Sequence, residues 1–163
     1  MKKLTLTVLL LAIYQSVFAE THVYNATCEG SYMKEGLLSD DLSVKKGLPI
    51  KCNDVSISLF ENGNYQVQLL NKQSSATPLG FSGKYGKQQV SDDVSGYPIE
   101  RVYLYSPNVG AEPVSKGVQG YCFFDDIRAP QLGMSCSSMI IVENKRYVFN
   151  IAINVTSPGV RVE

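Results

Sequence analysis

The chain lacks tryptophan and contains a single histidine, His22, among its 163 residues. A serine or cysteine nucleophile with a histidine base would have to use this one residue. The count also excludes metal sites built on three histidines, or on two histidines and a carboxylate. We therefore predict a protein that is not an enzyme and that needs no metal or other cofactor.

Apolar runs long enough to span a membrane are missing as well. The run from Val8 to Ile13 is far shorter than the ~20 residues of a membrane-spanning helix. It follows Lys2 and Lys3 and precedes Val17-Phe18-Ala19, an order typical of a secretory signal that is cleaved after Ala19. We expect this signal to direct the protein to a bacterial periplasm or to the outside medium, without stable membrane insertion after cleavage.

Cleavage would leave residues 20–163 as a single β domain after a signal peptide of residues 1–19. Loss of Lys2 and Lys3 leaves 13 basic residues against 15 acidic ones, a net charge of −2. Nucleic-acid binding depends on clustered lysine and arginine, and the pairs in this chain are isolated. We therefore expect no nucleic-acid partner.

Cysteine is scarce but even in number, with Cys28, Cys52, Cys122 and Cys136 all in the predicted mature part. An even count in a small exported domain predicts disulfides. Three pairings are possible, and nearness in sequence favours Cys28 with Cys52 and Cys122 with Cys136, each pair joining neighbouring strands. The spacing contains no C-x-x-C element, which argues against a structural zinc site.

Alternation of apolar and polar residues with a period of two dominates the rest of the chain. It is clearest over residues 55–59 and 65–69, which flank Asn62-Gly63 and predict a β-hairpin whose two turn residues have positive φ. Residues 139–142 and 147–155 predict a second hairpin around Glu143-Asn144. These patterns predict an all-β fold, either an antiparallel β-sandwich or a small β-barrel built from hairpins and stapled by disulfides.

Other segments give weaker signals. β-branched and aromatic residues predict strands at Thr21–Cys28, Leu79–Tyr85, Ile99–Tyr105, Val118–Phe124 and Leu132–Cys136. Polar stretches rich in glycine, proline and serine predict loops at residues 72–78, 88–98 and 106–116.

Two groups of residues suggest metal or acid chemistry. After cleavage the chain would begin Glu20-Thr21-His22, and a free amine with histidine third can hold copper or nickel in a square plane. The alternative is an ordinary residue of a mobile tail. Paired carboxylates at Asp40-Asp41, Asp92-Asp93 and Asp125-Asp126 lack a calcium-loop pattern, and we interpret them as solvated turn residues.

Tyrosine is abundant, with ten residues in the chain. Tyrosine combines a rigid apolar ring with a polar tip and suits recognition surfaces. We predict a partner-binding surface that contains Lys84, Tyr85, Tyr97, Tyr103 and Tyr105. Tyr103 and Tyr105 would share one face of a strand and the residues beside them the other face, so that one face packs in the core.

The segment Ser82-Gly83-Lys84-Tyr85 resembles the short Ser-Gly motif, with tyrosine and lysine nearby, of bacterial lysozyme-inhibitor barrels. The resemblance extends over these four residues. In that family the motif enters the cleft of a muramidase, so the resemblance implies a cell-wall enzyme as a partner.

These observations predict an exported, non-enzymatic protein that docks onto or inhibits another exported protein such as a cell-wall hydrolase. One alternative is a β-barrel carrier for a small ligand or a metal ion. Another is a subunit of a surface or secretion assembly.

Overall fold

The structure is a computed structural model that describes residues 19–71, 79–92, 94–104, 118–124, 133–156 and 160–162. Almost all of the predicted signal peptide therefore lies outside the described residues. Within these ranges, no helix has the length and apolar character that crossing a bilayer requires.

The described chain is all-β and its paired strands are antiparallel, which confirms the predicted fold class. The strands are β1 (Ala19–Thr27), β2 (Tyr32–Leu37), β3 (Leu48–Pro49), β4 (Asp54–Phe60), β5 (Asn64–Leu70), β6 (Leu79–Lys84), β7 (Gln88–Ser91), β8 (Val94–Pro98), β9 (Arg101–Leu104), β10 (Gln119–Phe124), β11 (Gly133–Val142), β12 (Lys145–Val155) and β13 (Val160–Val162).

The sheet has two halves: one contains β4, β5, β6, β9 and β13, and the other contains β2, β3, β7, β8, β10, β11 and β12. Two places connect these halves. The first half of β1 pairs with β4 on one side and with β13 on the other, whereas its end, at Ala26 and Thr27, pairs with β12. The second place is the crossing segment, residues 98–101, which leads from β8 beside β10 to β9 beside β6. Ile99 N–H donates to the Gly120 carbonyl, and Glu100 N–H donates to the Ser82 carbonyl.

The core lies between these two halves. Strands β5, β11 and β12 alternate and each turns one set of residues inward, as a period of two requires, whereas β4 buries all of its first four residues. Phe81 of β6 and Phe149 of β12 are fully buried, and their ring centroids lie 6.4 Å apart. Aromatic side chains therefore fill the space between strands that are distant in the sheet order.

Both predicted hairpins are present, but the turn of the first differs from the expectation. In the β4–β5 turn only Gly63 has positive φ (74°), because three residues make the turn and Gly63 N–H donates to the Phe60 carbonyl. The prediction of positive φ at Asn62 was wrong. The β11–β12 turn has two residues, and both Glu143 and Asn144 have positive φ, as a type I′ turn requires.

The loop predicted at residues 88–98 was also wrong, since β7 and β8 form a hairpin there. Strand β7 is exposed along its whole length and so shows no apolar alternation. Strand β8 pairs with β10 through Tyr97 opposite Cys122. The predicted loops at residues 72–78 and 106–116 lie outside the described residues.

The two predicted disulfides are confirmed. Cys28, which follows β1, is bonded to Cys52, which precedes β4, the neighbour of β1 in the sheet. Cys122 of β10 is bonded to Cys136, its direct partner in β11. Each bond therefore joins neighbouring strands, and two disulfides are in keeping with an oxidising, exported environment.

Candidate functional site

The β6–β7 turn, Lys84–Lys87, lies on the surface, and all four of its residues are exposed. It follows the Ser82-Gly83 pair of β6 without interruption. Tyr85 N–H donates to the Gly63 carbonyl, which ties this turn to the neighbouring β4–β5 turn. The backbone of the turn is therefore anchored while its side chains face solvent.

Stacked aromatic rings support the turn from below. The ring of Tyr85 is parallel to that of Tyr97 within 7° at 5.1 Å, and Tyr97 stacks on Phe124 at 4.2 Å. The Lys87 ammonium lies 5.6 Å from the centroid of the Tyr97 ring, within the range of a cation–π interaction. Tyr85 and Lys87 thus keep a defined place although they are exposed.

Tyr65 connects this stack to the crossing segment. Its one hydroxyl proton is shared between the Pro98 carbonyl oxygen at 3.0 Å and the Tyr97 carbonyl oxygen at 3.3 Å. The edge of its ring meets the rings of Tyr97 and Phe124. Burial, and after it the charge of Glu100, raise the pKa of the Tyr65 phenol above its ordinary value of 10.0.

Replacement of Tyr65 by phenylalanine tests this connection. We expect Tyr65→Phe to lower the free energy of unfolding at pH 7 by about 1 kcal/mol, since a buried hydrogen-bonding hydroxyl is lost. Because the pKa of Tyr65 is higher in the folded state, its protonated form stabilises the protein fully below about pH 10, and this stabilisation declines as pH rises further. Urea unfolding of both proteins at pH 7 and above pH 10 should show a smaller difference at the higher pH. A difference that is constant with pH would contradict the assignment.

A polar cleft of about 280 Å³ opens beside the turn. It lies on strands β5, β6 and β9, and the β4–β5 turn borders it. Its amide side chains are Asn62, Asn64 and Gln66, and its other lining residues are Phe60, Tyr65, Ser82, Gly83, Lys84, Glu100, Arg101 and Tyr103. The pairing of the three strands explains why these lining residues lie side by side, because Gln66 is opposite Ser82 and Ser82 is opposite Arg101.

Hydroxyl groups and charges are close together in this polar cleft. The Ser82 and Tyr103 hydroxyl oxygens lie 3.2 Å apart in a hydrogen bond. Lys84 and Arg101 supply two positive charges and Glu100 one negative charge. Among the described residues, neither Lys84 nor Arg101 forms a salt bridge. Both cations are therefore available to an external anion.

A second, mixed cleft of about 420 Å³ lies on the other side of the turn. Lys87, Phe124, Met134 and Ile153 contribute to its lining together with small residues of β11 and β12. Lys84 lines the polar cleft and Lys87 lines the mixed cleft, so the turn forms a ridge between two depressions.

The structure brings together most of the residues predicted for partner binding. Lys84 and Tyr85 are exposed on the ridge, and Tyr103 is partly exposed in the polar cleft. The neighbour of Tyr103, Val102, is fully buried, as the two-faced strand pattern requires. Tyr97 is buried, so it would act on a partner through Tyr85 and Lys87, which lie against its ring. Tyr105 lies outside the described residues.

No sequence pattern led us to select Gln66, Arg101 and Phe124. Gln66 was visible only as one polar position of an alternating strand. Arg101 enters the site because β9 pairs with β6, and Phe124 because β10 pairs with β8. These pairings join strands that do not follow each other in the chain, and a local pattern does not contain them.

His22 lies in a sheet. The interpretation of His22 as an ordinary residue of a mobile tail was therefore wrong. It pairs with Ile57 of β4 and with Arg161 of β13, so its backbone belongs to strand ladders on both sides. Its Nε2 atom is 3.1 Å from a carboxylate oxygen of Glu20. A square-planar metal site would need the amides of Thr21 and His22 to leave these ladders, so this geometry does not support the copper or nickel interpretation.

The acidic pair Asp40-Asp41 behaves as solvated turn residues. A hydrogen bond from Lys45, and after it one from the Leu37 N–H, lower the pKa of Asp40. Hydrogen bonds from Ser43 lower the pKa of Asp41. Asp93, Asp125 and Asp126 lie outside the described residues. In the part of the chain that the structure describes, no group of three or more histidine, cysteine, aspartate or glutamate side chains could hold a metal ion.

Comparisons of the chain with family models, with curated proteins and with solved structures found no match.

Proposed function

We propose that this protein is an exported, non-enzymatic binding protein that docks onto another exported protein through the β6–β7 turn. In this proposal the partner is an enzyme with an acidic cleft, such as a cell-wall hydrolase, and docking inhibits it. The observation that carries the proposal is the ridge itself, where the exposed Tyr85 and Lys87 lie against a buried aromatic stack and the exposed Lys84 precedes them.

Rigidity of the ridge favours binding. Docking a mobile side chain requires loss of rotamer freedom, about 0.5–1.5 kcal/mol for each one that is immobilised. Tyr85 already stacks on Tyr97, and Lys87 already lies against the same ring. Much of this ordering therefore precedes the encounter with a partner.

Charge complementarity favours an enzyme of glycoside hydrolysis as the partner. Such enzymes place two carboxyl groups on either side of the scissile bond. Lys84 and Lys87 lie on a narrow turn with depressions on both sides, so the turn can enter a cleft and place ammonium groups near carboxylates. Close charge pairs of this kind contribute strongly to tight protein complexes.

Export and a binding role agree with two further features. The disulfides suit an oxidising compartment, and we place the protein in the periplasm or outside the cell. The single histidine is engaged with Glu20 in a strand, away from the polar cleft and the ridge. The alternative of a carrier has less support, since Phe81 and Phe149 meet in the interior.

The test is inhibition of purified exported muramidases by the disulfide-intact protein. We expect Lys84→Glu combined with Lys87→Glu to raise the inhibition constant at least about tenfold, because two attractive contacts become repulsive. The matched control is Lys46→Glu with Lys51→Glu, which reverses two exposed lysines elsewhere on the chain. Equal losses in both double variants, or no inhibition of any muramidase together with no enzyme captured from periplasmic extract, would refute the proposal.

A further inference from the structure

The outer face of β5, β6 and β9 presents a continuous row of polar side chains. Gln66, Ser82 and Arg101 are register partners across the three strands and so point to the same face. Asn64 is opposite Lys84 in the next row. This row forms the floor of the polar cleft beside the ridge.

The composition of the polar cleft matches the chemistry of a sugar. Asn64 and Gln66 each offer a hydrogen-bond donor and an acceptor, and the paired hydroxyls of Ser82 and Tyr103 can do both. A sugar ring carries hydroxyl groups around its edge and C–H groups on its faces. Phe60 adds an aromatic ring to that of Tyr103, so the lining offers apolar contact as well as hydrogen bonds.

Charge narrows the class of sugar further. Arg101 is exposed, and its planar guanidinium can hold a carboxylate through two parallel hydrogen bonds. Lys84 adds a second positive charge at the same cleft, and Glu100 can accept a hydrogen bond from a sugar hydroxyl. Two cations against one anion leave the cleft positive, although the mature chain as a whole is slightly acidic.

We propose that the polar cleft binds a carboxylate-bearing saccharide, with Arg101 on the carboxylate and with Gln66, Ser82 and Tyr103 on the ring hydroxyls. The volume of about 280 Å³ is near the lower end of small-molecule sites and suits a monosaccharide or a disaccharide. This site goes beyond the proposed docking function, since it uses the cleft wall and does not require the exposed face of Tyr85.

Titration calorimetry with two matched disaccharides tests the site at low salt. The acidic probe is N-acetylglucosamine linked to N-acetylmuramic acid, and the neutral probe is the dimer of N-acetylglucosamine, which lacks the lactyl carboxylate. We expect the acidic probe to bind at least about tenfold more tightly, as a charge-assisted contact to arginine predicts. The intact polymer can then be compared with the free disaccharide, which distinguishes a cell-wall ligand from a soluble one.

Variants locate the ligand. We expect Arg101→Gln to remove the preference for the acidic probe and Tyr103→Phe to weaken both probes. Arg161→Gln, at an exposed arginine of β13 outside the cleft, should have no effect. Tyr85→Ala should impair docking onto an enzyme and leave saccharide binding unchanged, so the two proposals can fail separately.

Three results would overturn the inference. Equal affinity for the acidic and neutral probes would remove the role of the carboxylate. Unchanged binding in Arg101→Gln and Tyr103→Phe would place the ligand elsewhere. Equally tight binding of a short glutamate peptide, or no binding of either disaccharide, would exclude a saccharide as the preferred ligand.

Discussion

Replacement of Gly83 by alanine should destabilise the protein by about 3 kcal/mol or more, the upper range for overpacking. A Cβ atom at Gly83 would lie 2.0 Å from the Pro98 carbonyl oxygen, far inside van der Waals contact. That oxygen also accepts the Tyr65 hydrogen bond, and the adjacent Glu100 N–H bonds to Ser82. Relief of the clash therefore displaces the crossing segment and breaks contacts that hold it.

Gly86 provides the matched control because it lies three residues further along, in the exposed β6–β7 turn that follows Gly83. A Cβ atom there would meet nothing within 4 Å. We expect Gly86→Ala to change the free energy of unfolding by less than about 0.5 kcal/mol. Guanidinium unfolding followed by far-ultraviolet circular dichroism suits a chain without tryptophan. Equal stability of the two variants would show that Gly83 is not needed for the close approach.

Removal of either disulfide should cause the second large loss in the free energy of unfolding. The chain-entropy model gives about 3 kcal/mol for closing loops of this length, since the bonded cysteines are 24 and 14 positions apart in the sequence. We expect Cys28→Ala with Cys52→Ala, and separately Cys122→Ala with Cys136→Ala, to lower the free energy of unfolding by about that amount. Urea unfolding at pH 7 measures both losses.

The buried position of the Cys122–Cys136 bond should increase the loss of stability caused by its removal. Cys122 and Cys136 are fully buried between paired strands, so truncation also removes packed atoms from the core. Ser137→Ala, at an exposed neighbour in β11, serves as the control and should leave stability unchanged. A loss below about 1 kcal/mol in either double variant would mean that the bond adds little to the hydrogen-bonded sheet.

Local patterns predicted those parts of the fold that depend on neighbouring residues. The alternation around Asn62-Gly63 predicted β4 and β5, since a hairpin needs only a turn and two adjacent strands. The cysteine pairs could be predicted for a similar reason, because each joins strands that lie next to each other. Strands β7 and β8 were missed because β7 is exposed and carries no alternation.

The candidate site could be predicted only in part. Lys84 and Tyr85 were selected because of their residue types, and they do lie on the surface. The burial of Tyr97 depends on Phe124 from a strand more than twenty residues away. The polar cleft depends on the register of β6 with β9, which no local pattern specifies because the hydrogen bonds of the crossing segment to β6 and β10 set it.

If the protein is exported and cleaved after Ala19, as we predict, the position of β1 constrains the order of events. Ala19, the last residue before the predicted cleavage point, is opposite Phe60 at the start of the β1–β4 ladder. A signal peptidase needs an extended, accessible chain, which this ladder would deny it. Strand β1 also pairs with β12 and β13, which lie more than a hundred residues further along the chain and would follow it late in any export from the amino terminus. Cleavage after Ala19 must therefore precede the pairing of β1 with its neighbours in the sheet. Because β12 and β13 follow β1 late, the peptidase has time to act before this pairing is complete.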